Sequence, residues 1–399
     1  MRKQEKKIMK KLNIAIIGTG FMGRAHSNGW SQLPKFFSVD YEIVLKAVAG
    51  RDEEKVKAFA EKWGYEEYTT DWRSLLERKD IDVIDILTPT IEHKDMAIAA
   101  IKAGKHVVCE KPCALTYKDA VEMAEAAEKA GVVTYLNHNY RKVPAIAFAK
   151  QMIENGKLGK IYHWRGTYLQ DWIMDENFPL TWHLDKKKAG GGPLYDLSSH
   201  AVDLARFLIG EPTSVMAMCK TFVKERPVPG VGAATFSAGS KNDGLLREML
   251  PVTVDDAAFM TLEFENGALG TIDSSRFAAG RKNYNCFEVY GSKGALCFNL
   301  ERMNELEFYD NTKEPSESGY QSIIVTNGKH PYVGAWWPEG HIIGYEHTFV
   351  HAFYEFVEAI QNGTRIAPNF DDGAKIIKIL QCAQKSSEEG RKIRVDEEL

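Results

Sequence analysis

The apolar run NIAII, beginning at Asn13, passes directly into Gly18-Thr19-Gly20-Phe21-Met22-Gly23, and a helical pattern follows. No other stretch of the chain constrains its fold as strongly. A strand that turns into a helix through glycines at this spacing uses each glycine for a different reason. Gly18 permits the tight turn, Gly20 leaves the backbone open to a pyrophosphate, and Gly23 lets helix and strand pack closely. The helix N-terminus then offers unpaired N–H groups to an anion, with Phe21 and Met22 in its first turn. Alone, such a glycine pattern is weak. Here it opens a series of strand-like runs, IVLKAVA, VIDIL, HVVCE and VVTYL, that alternate with helical segments as far as Tyr140. That alternation predicts a parallel sheet with crossover helices. Two of the helices, EHKDMAIAAIKAG and YKDAVEMAEAAEKAG, close on a glycine, as helix ends commonly do.

From about Gly159 the pattern becomes the alternation of half-buried strands: KIYHWRGTYL, TSVMAMCKTF, DAAFMTLEF, ALGTIDSSRF and CFEVYG. A mostly antiparallel sheet is expected there. Two polar stretches, about 225–251 and 310–344, interrupt it as candidate loops over a site, and the chain ends in two helical patterns. The fold class is therefore α/β: a dinucleotide-binding domain over 13–140 and an α+β domain with a large sheet over 141–399, preceded by a flexible tail, 1–12.

The formal net charge of -4 gives no global attraction for nucleic acid or anionic lipid, and no apolar run is long enough to cross a bilayer. Neither a nucleic-acid nor a membrane partner is expected. The basic start, MRKQEKKIMKK, lacks the apolar core of a signal peptide. Six scattered cysteines predict reduced thiols in the cytoplasm. Cys109 and Cys113 have no second pair at zinc-site spacing, so no metal is expected.

Three further segments carry candidate chemistry. At the end of the second strand, where a carboxylate would hold an adenosine ribose, Ala49-Gly50-Arg51-Asp52 is mixed. Arg51 suits a 2′-phosphate or is simply solvated, and Asp52 suits a ribose hydroxyl, so the cofactor is NAD(P). Cys109-Glu110-Lys111-Pro112 either places a lysine on the ligand edge of the sheet, able to donate to a cofactor ribose and a reacting oxygen, or is simply a solvated turn, the commoner reading of a charged strand end taken alone. In the segment from Gly190 to His200, Asp196 and His200 fall four apart on the first turn of a helix. They form either an acid/base pair with the carboxylate fixing the imidazole tautomer, or a capping Asp with a bystander His.

Taken together, Gly18 to Gly23, Thr88-Pro89 with His93, Glu110-Lys111-Pro112, and Asp196 with His200 resemble the glucose-fructose oxidoreductase/inositol dehydrogenase/MocA family over nearly the whole chain. The resemblance implies a Rossmann domain followed by an open-faced sheet that mediates homodimers or homotetramers. It makes Lys111, Asp196 and His200 the catalytic group and puts Pro112 in a cis peptide. His200 is then the acid/base, Asp196 its orienting partner and Lys111 the stabiliser of a developing alkoxide, with Lys111 and His200 exchangeable in role. Thr88, Pro89, His93, Glu110 and Asn139 join the glycine turn, Arg51 and Asp52 around the cofactor. Asn139-Tyr140-Arg141, Gly166-Thr167-Tyr168-Leu169-Gln170-Asp171-Trp172 and Gly340-His341 look like the levoglucosan dehydrogenase-like, pyranose-oxidising branch. This adds Tyr140, Arg141, Gln170, Trp172, Trp182 and His341 as substrate contacts, although the tryptophans serve equally well as core or interface residues. The branch leans toward NAD. The expectation is hydride transfer between a secondary ring hydroxyl of a pyranose, glycoside or anhydrosugar, at C3, and a nicotinamide. The alternatives are a cyclitol such as myo-inositol, or tightly held, recycling NAD acting on glycosides. A ligand-sensing regulator is set aside because all three catalytic residues are present.

Overall fold

The computed structural model describes residues 9–229 and 248–398. Six strands, β1 (Lys10–Ile17), β2 (Tyr41–Ala49), β3 (Glu67–Thr69), β4 (Val83–Ile86), β5 (His106–Cys109) and β6 (Thr134–Leu136), form one sheet in the order β3-β2-β1-β4-β5-β6. Every pair in it is parallel. Helices α1 (Phe21–Phe36), α2 (Glu53–Trp63), α3 (Thr90–Lys102) and α4 (Tyr117–Ala130) make the crossovers. β4 is buried along its whole length, as a strand covered on both faces must be. The strand order reverses between β1 and β4, and in such sheets the crevice at the carboxyl ends of those strands receives the ligand. β1 begins at Lys10, inside the segment expected to be tail.

After α5 (Pro144–Glu154) the chain enters a nine-stranded sheet. β7 (Ile161–Leu169) leads through the short helices α6 (Lys186–Ala189) and α7 (Pro193–Asp196) to α8 (Ser198–Leu208) and β8 (Pro212–Lys220). A separate two-stranded piece, β9 (Glu225–Pro227) with β10 (Met249–Pro251), precedes β11 (Ala257–Phe264), β12 (Leu269–Ser275), β13 (Tyr284–Gly291), β14 (Gly294–Asn299), β15 (Glu305–Asp310) and β16 (Tyr320–Ile324). The sheet order is β16-β15-β14-β13-β7-β12-β11-β8-β17, where β17 is Ile393–Arg394. All its pairings are antiparallel except β7 with β12, which places the ends of those two strands side by side at the cleft.

Two C-terminal helices join the sheets. α9 (His347–Asn362) packs on α1, with Phe353 stacked on Trp30 at 4.1 Å, so Phe349, Phe353 and Phe356 share a core with Leu12, Ile14 and Val48 of the parallel sheet. α10 (Phe370–Glu389) packs on both α4 and β8. The stretch 310–344 is not a cover over the cleft. It contributes β16 and then lies along the end of α1, where Trp336 meets Phe36 at 4.2 Å. Of the other stretch, 225–251, residues 230–247 lie outside the described residues. No helix among the described residues is long and apolar enough to cross a membrane.

Candidate active site

A cleft of about 960 Å³ opens at the carboxyl ends of the parallel strands and runs to the ends of β7 and β12. At its first end lies the glycine turn. Gly18 has φ +124°, and a Cβ there would meet the Leu87 carbonyl oxygen at 2.8 Å. A Cβ on Gly23 would come within 2.5 Å of the Gly18 oxygen, whereas one on Gly20 would meet nothing within 4 Å. Gly18 thus holds a positive-φ turn, Gly20 leaves open space above the backbone, and Gly23 packs closely. Gly20 is the N-cap of α1 and supplies no side-chain cap, so the first-turn N–H groups stay available to an anion. Phe21, Met22, Arg51, Thr88 and Pro89 line the same end, and Asn139 lines the cleft with its side-chain amide donating to Thr348 Oγ1 at 2.8 Å. This cradle fits a dinucleotide pyrophosphate.

Two expected cofactor contacts are corrected. Asp52 does not face the cleft: it caps α2, accepting from the Lys55 N–H at 3.1 Å and pairing with Lys55 Nζ at 2.9 Å. His93 lies beneath the cleft, its Nδ1 2.9 Å from the Pro112 oxygen and its Nε2 2.8 Å from the Thr88 oxygen. It braces the two lining segments instead of touching a ligand. Glu110 borders the cleft, but its carboxylate turns inward to His26 Nε2 at 2.9 Å and to the Asn137 amide.

At the other end the catalytic candidates come together. Lys111-Pro112 is cis. Lys111 Nζ donates to Asp196 Oδ1 at 2.6 Å, and Arg276 donates to Asp196 Oδ2 at 2.6 Å. Burial works against charge on Lys111 and Asp196, yet the pairing prevails. It holds the Asp196 carboxyl well below its usual range and Lys111 above the ordinary lysine value. No hydrogen bond joins Asp196 to His200 among the described residues: the Asp196 oxygens go to Lys111 and Arg276 instead, and His200 Nδ1 has no partner there. The helix is also interrupted between them, with α7 ending at Asp196 and α8 starting at Ser198. His200 is held by packing, its ring 4.6 Å from Tyr140, 5.9 Å from Tyr168 and edge-on to His138 at 5.3 Å. Burial, then the charge of Lys111, pushes its pKa well below the ordinary histidine value. Its Nδ1 is sealed without a partner among the described residues, which leaves Nε2 to face the cleft.

One wall is a hydrogen-bonded chain. Tyr140 and Tyr168 hydroxyls meet at 3.0 Å, Tyr168 donates to Asn283 Oδ1 at 2.7 Å, Gln170 Nε2 reaches the same oxygen at 3.3 Å, and Trp172 Nε1 donates to Gln170 Oε1 at 2.8 Å. Trp182 lines the cleft beside it, stacked on His183. Two expected substrate contacts are absent from the wall. Arg141 is buried in a two-point pair with Asp203 at 2.6 and 2.8 Å, and His341 is exposed, its Nδ1 beside the Pro338 oxygen. Arg276, Asn283, His183 and Tyr345 also line the cleft and were not anticipated. Only Arg276 had a signal, as a cation closing an alternating strand.

Residues 12–138 match the family model described as "Oxidoreductase family, NAD-binding Rossmann fold", and residues 146–297 match "GFO/IDH/MocA C-terminal domain". The chain is 39% identical over 385 residues to levoglucosan dehydrogenase of Pseudarthrobacter phenanthrenivorans, covering 95% of this chain and 98% of that protein. It is 29% identical over 272 residues to D-glucoside 3-dehydrogenase of Escherichia coli, covering 66% of this chain and 70% of that one. A solved levoglucosan dehydrogenase in complex with NADH and levoglucosan superposes with a TM-score of 0.90 at 37% identity, covering 97% of this chain and 100% of the other.

Proposed function

The chain belongs to the GFO/IDH/MocA oxidoreductase family, as an NAD-binding sugar oxidoreductase, and from that membership we propose that it oxidises a glucose-type pyranose, free or as a glycoside or anhydrosugar, at C3 with NAD. The observation that carries the proposal is the convergence, at one end of the cleft, of a charged Lys111 and an uncharged His200 beside a wall of sugar-reading groups. When bound, NAD supplies the two-electron acceptor for the hydride leaving the carbinol carbon.

The residues supply the rest. His200 takes the hydroxyl proton at Nε2, a role open to an imidazole that burial keeps neutral. Lys111 stays an ammonium in the grip of Asp196 and steadies the charge growing on the substrate oxygen. The exchange of roles between the two is disfavoured, since a lysine whose pKa is raised is a poor base. Tyr140, Tyr168, Asn283 and Gln170 hydrogen-bond one another along the wall, so a sugar that enters must replace the bonds it breaks, and one of the wrong hydroxyl pattern leaves buried groups unpaired, which is costly. The name of the Escherichia coli relative, a glucoside 3-dehydrogenase, supports C3.

A panel of pyranoses, glycosides, anhydrosugars and inositols with NAD and NADP, read by absorbance of the reduced nicotinamide, tests the proposal. Borodeuteride trapping with mass spectrometry locates the keto carbon. Strong activity on inositols with none on any pyranose would refute it. We also propose that copies associate through the open face of the large sheet, where Met216, Met218, Phe259 and Leu269 are exposed. All six cysteines are unpaired, which supports a cytoplasmic location.

A further inference from the structure

Arg276, which follows β12, is fully buried and gives one guanidinium nitrogen to Asp196. Its backbone N–H donates to the Asp256 oxygen at 3.1 Å, and the face of Trp172 lies 5.2 Å from its guanidinium carbon. Its Nε and the other terminal nitrogen, Nη1, are sealed without a partner among the described residues. A buried cation with unpaired donors is costly, so stability does not explain it. Among the described residues its one side-chain hydrogen bond is to the carboxylate oxygen that Lys111 leaves open. Asp196 is thus gripped on both oxygens by cations from different sheets.

We propose that Arg276 is a positioning residue: by fixing Asp196 it aims the Lys111 ammonium at the reacting oxygen, and it leaves the Lys111–Asp196–Arg276 cluster with one surplus positive charge. The proposal rests on the oxidation proposed above only for the step it assists.

The surplus charge has a measurable effect. Asp196 is faced by Lys111, Arg276 and His183, and Arg276 itself by Asp255 and Arg226. His200 is faced by Lys111, His138, Asp196 and the rings of Tyr140 and Tyr168. Burial brings His183 to about 3 and His138 to about 4, so neither adds charge near neutral pH. Removing the guanidinium exposes both His200 and Lys111 to more of the Asp196 charge. Whichever group carries the proton then holds it more tightly.

The experiment compares Arg276→Met and Arg276→Lys with wild type in the full-length protein. For Arg276→Met, kcat should fall on the order of tenfold to a hundredfold, with little change in KM or in NADH affinity, as for other groups that orient a functional side chain. The acid limb of the kcat–pH profile should move to higher pH by on the order of one unit. Arg276→Lys, which keeps the charge and loses the planar fork, should restore the limb and only part of kcat. Histidine Cε1–H NMR titration without cofactor, with His200 assigned through His200→Gln, should show the same upward shift in Arg276→Met. Wild-type kcat, or an unmoved limb and an unmoved His200 titration in folded Arg276→Met, overturns the proposal. If that variant is insoluble, Arg276→Lys decides, and wild-type kcat in it overturns the proposal. A wild type inactive on every pyranose refutes the function, while the NMR titration still judges Arg276.

Discussion

Gly20→Val separates binding from folding at the cofactor end of the cleft. Gly20 has φ −74° and ψ −155°, extended values open to any residue, and a Cβ there meets nothing within 4 Å. The folded state should therefore change by no more than about 0.5 kcal/mol, as for substitutions away from buried contacts, and Tm by about 1–2 °C. Gly23→Ala is the control. Its Cβ would lie 2.5 Å from the Gly18 oxygen, forcing α1 off β1, and overpacking of that kind costs about 1–3 kcal/mol. For Gly20→Val the loss falls on the ligand, because the branched side chain stands where an anion would meet the first-turn N–H groups of α1. Losing a pair of charge-assisted hydrogen bonds there, at about 1.5–3 kcal/mol each, weakens binding by about 3 kcal/mol or more. That is about a hundredfold or more in Kd. Trp172 and Trp182 line the cleft, so quenching of tryptophan fluorescence by NADH reads the Kd, and thermal melts read the fold. A folded Gly20→Val protein with wild-type affinity for NADH would refute the reasoning.

Three further outcomes are expected. His200→Ala and Lys111→Ala should each lower kcat by about a hundredfold to ten-thousandfold while NADH affinity holds, and the wild-type acid limb should lie below the ordinary histidine value of 6.5. Near-normal kcat in His200→Ala, or a limb above that value, would move the proton to another group. His26 is fully buried between Asp85 and Glu110, and although burial opposes its charge, the two carboxylates raise its pKa to about 9. A raised folded-state pKa stabilises the protein fully below 6.5, and that stability drains as pH rises through about 9. Urea unfolding from pH 6 to 10 should show a loss on the order of 3 kcal/mol, absent from the His26→Gln slope. A flat wild-type profile would contradict it. Arg51 lines the ribose end with no partner among the described residues, so Arg51→Ala should weaken NADP binding and leave NAD binding intact. Calorimetric titration with each nucleotide checks this, and an equal loss for both would sink it.

What could be read from the sequence was short-range. The glycine turn, the strand–helix alternation and the alternating strands each declare themselves within a dozen or so residues, because turn sterics and burial period act locally. β3 escaped because Glu67–Thr69 is a polar edge strand with no apolar period to show. The end of the chain escaped for the opposite reason. The apolar face of α9 is plain, but nothing in its period says that the surface it covers is α1, more than three hundred residues earlier. Arg141 was misassigned although a signal existed. Asp203 sits within the apolar run AVDLARFL of α8, and a carboxylate buried there must find a cation.

The Asp196–His200 pair shows where spacing fails as a guide to chemistry. Residues four apart meet only if one helix runs unbroken through both, and here the register breaks at Leu197. Asp196 is thereby released toward Lys111 and Arg276, which lie 85 and 80 residues away along the chain. The parallel pairing of β12 with β7 brings the end of β12, and with it the buried Arg276, to the cleft where that second contact is made. The correction changes the chemistry as well as the geometry. A carboxylate on the imidazole would favour its protonated form, whereas a carboxylate clamped by two cations leaves His200 beside Lys111 in a buried pocket that keeps it neutral. In the proposed oxidation, this arrangement lets His200 accept a proton from a hydroxyl and keeps the compensating positive charge on Lys111, where a developing alkoxide needs it.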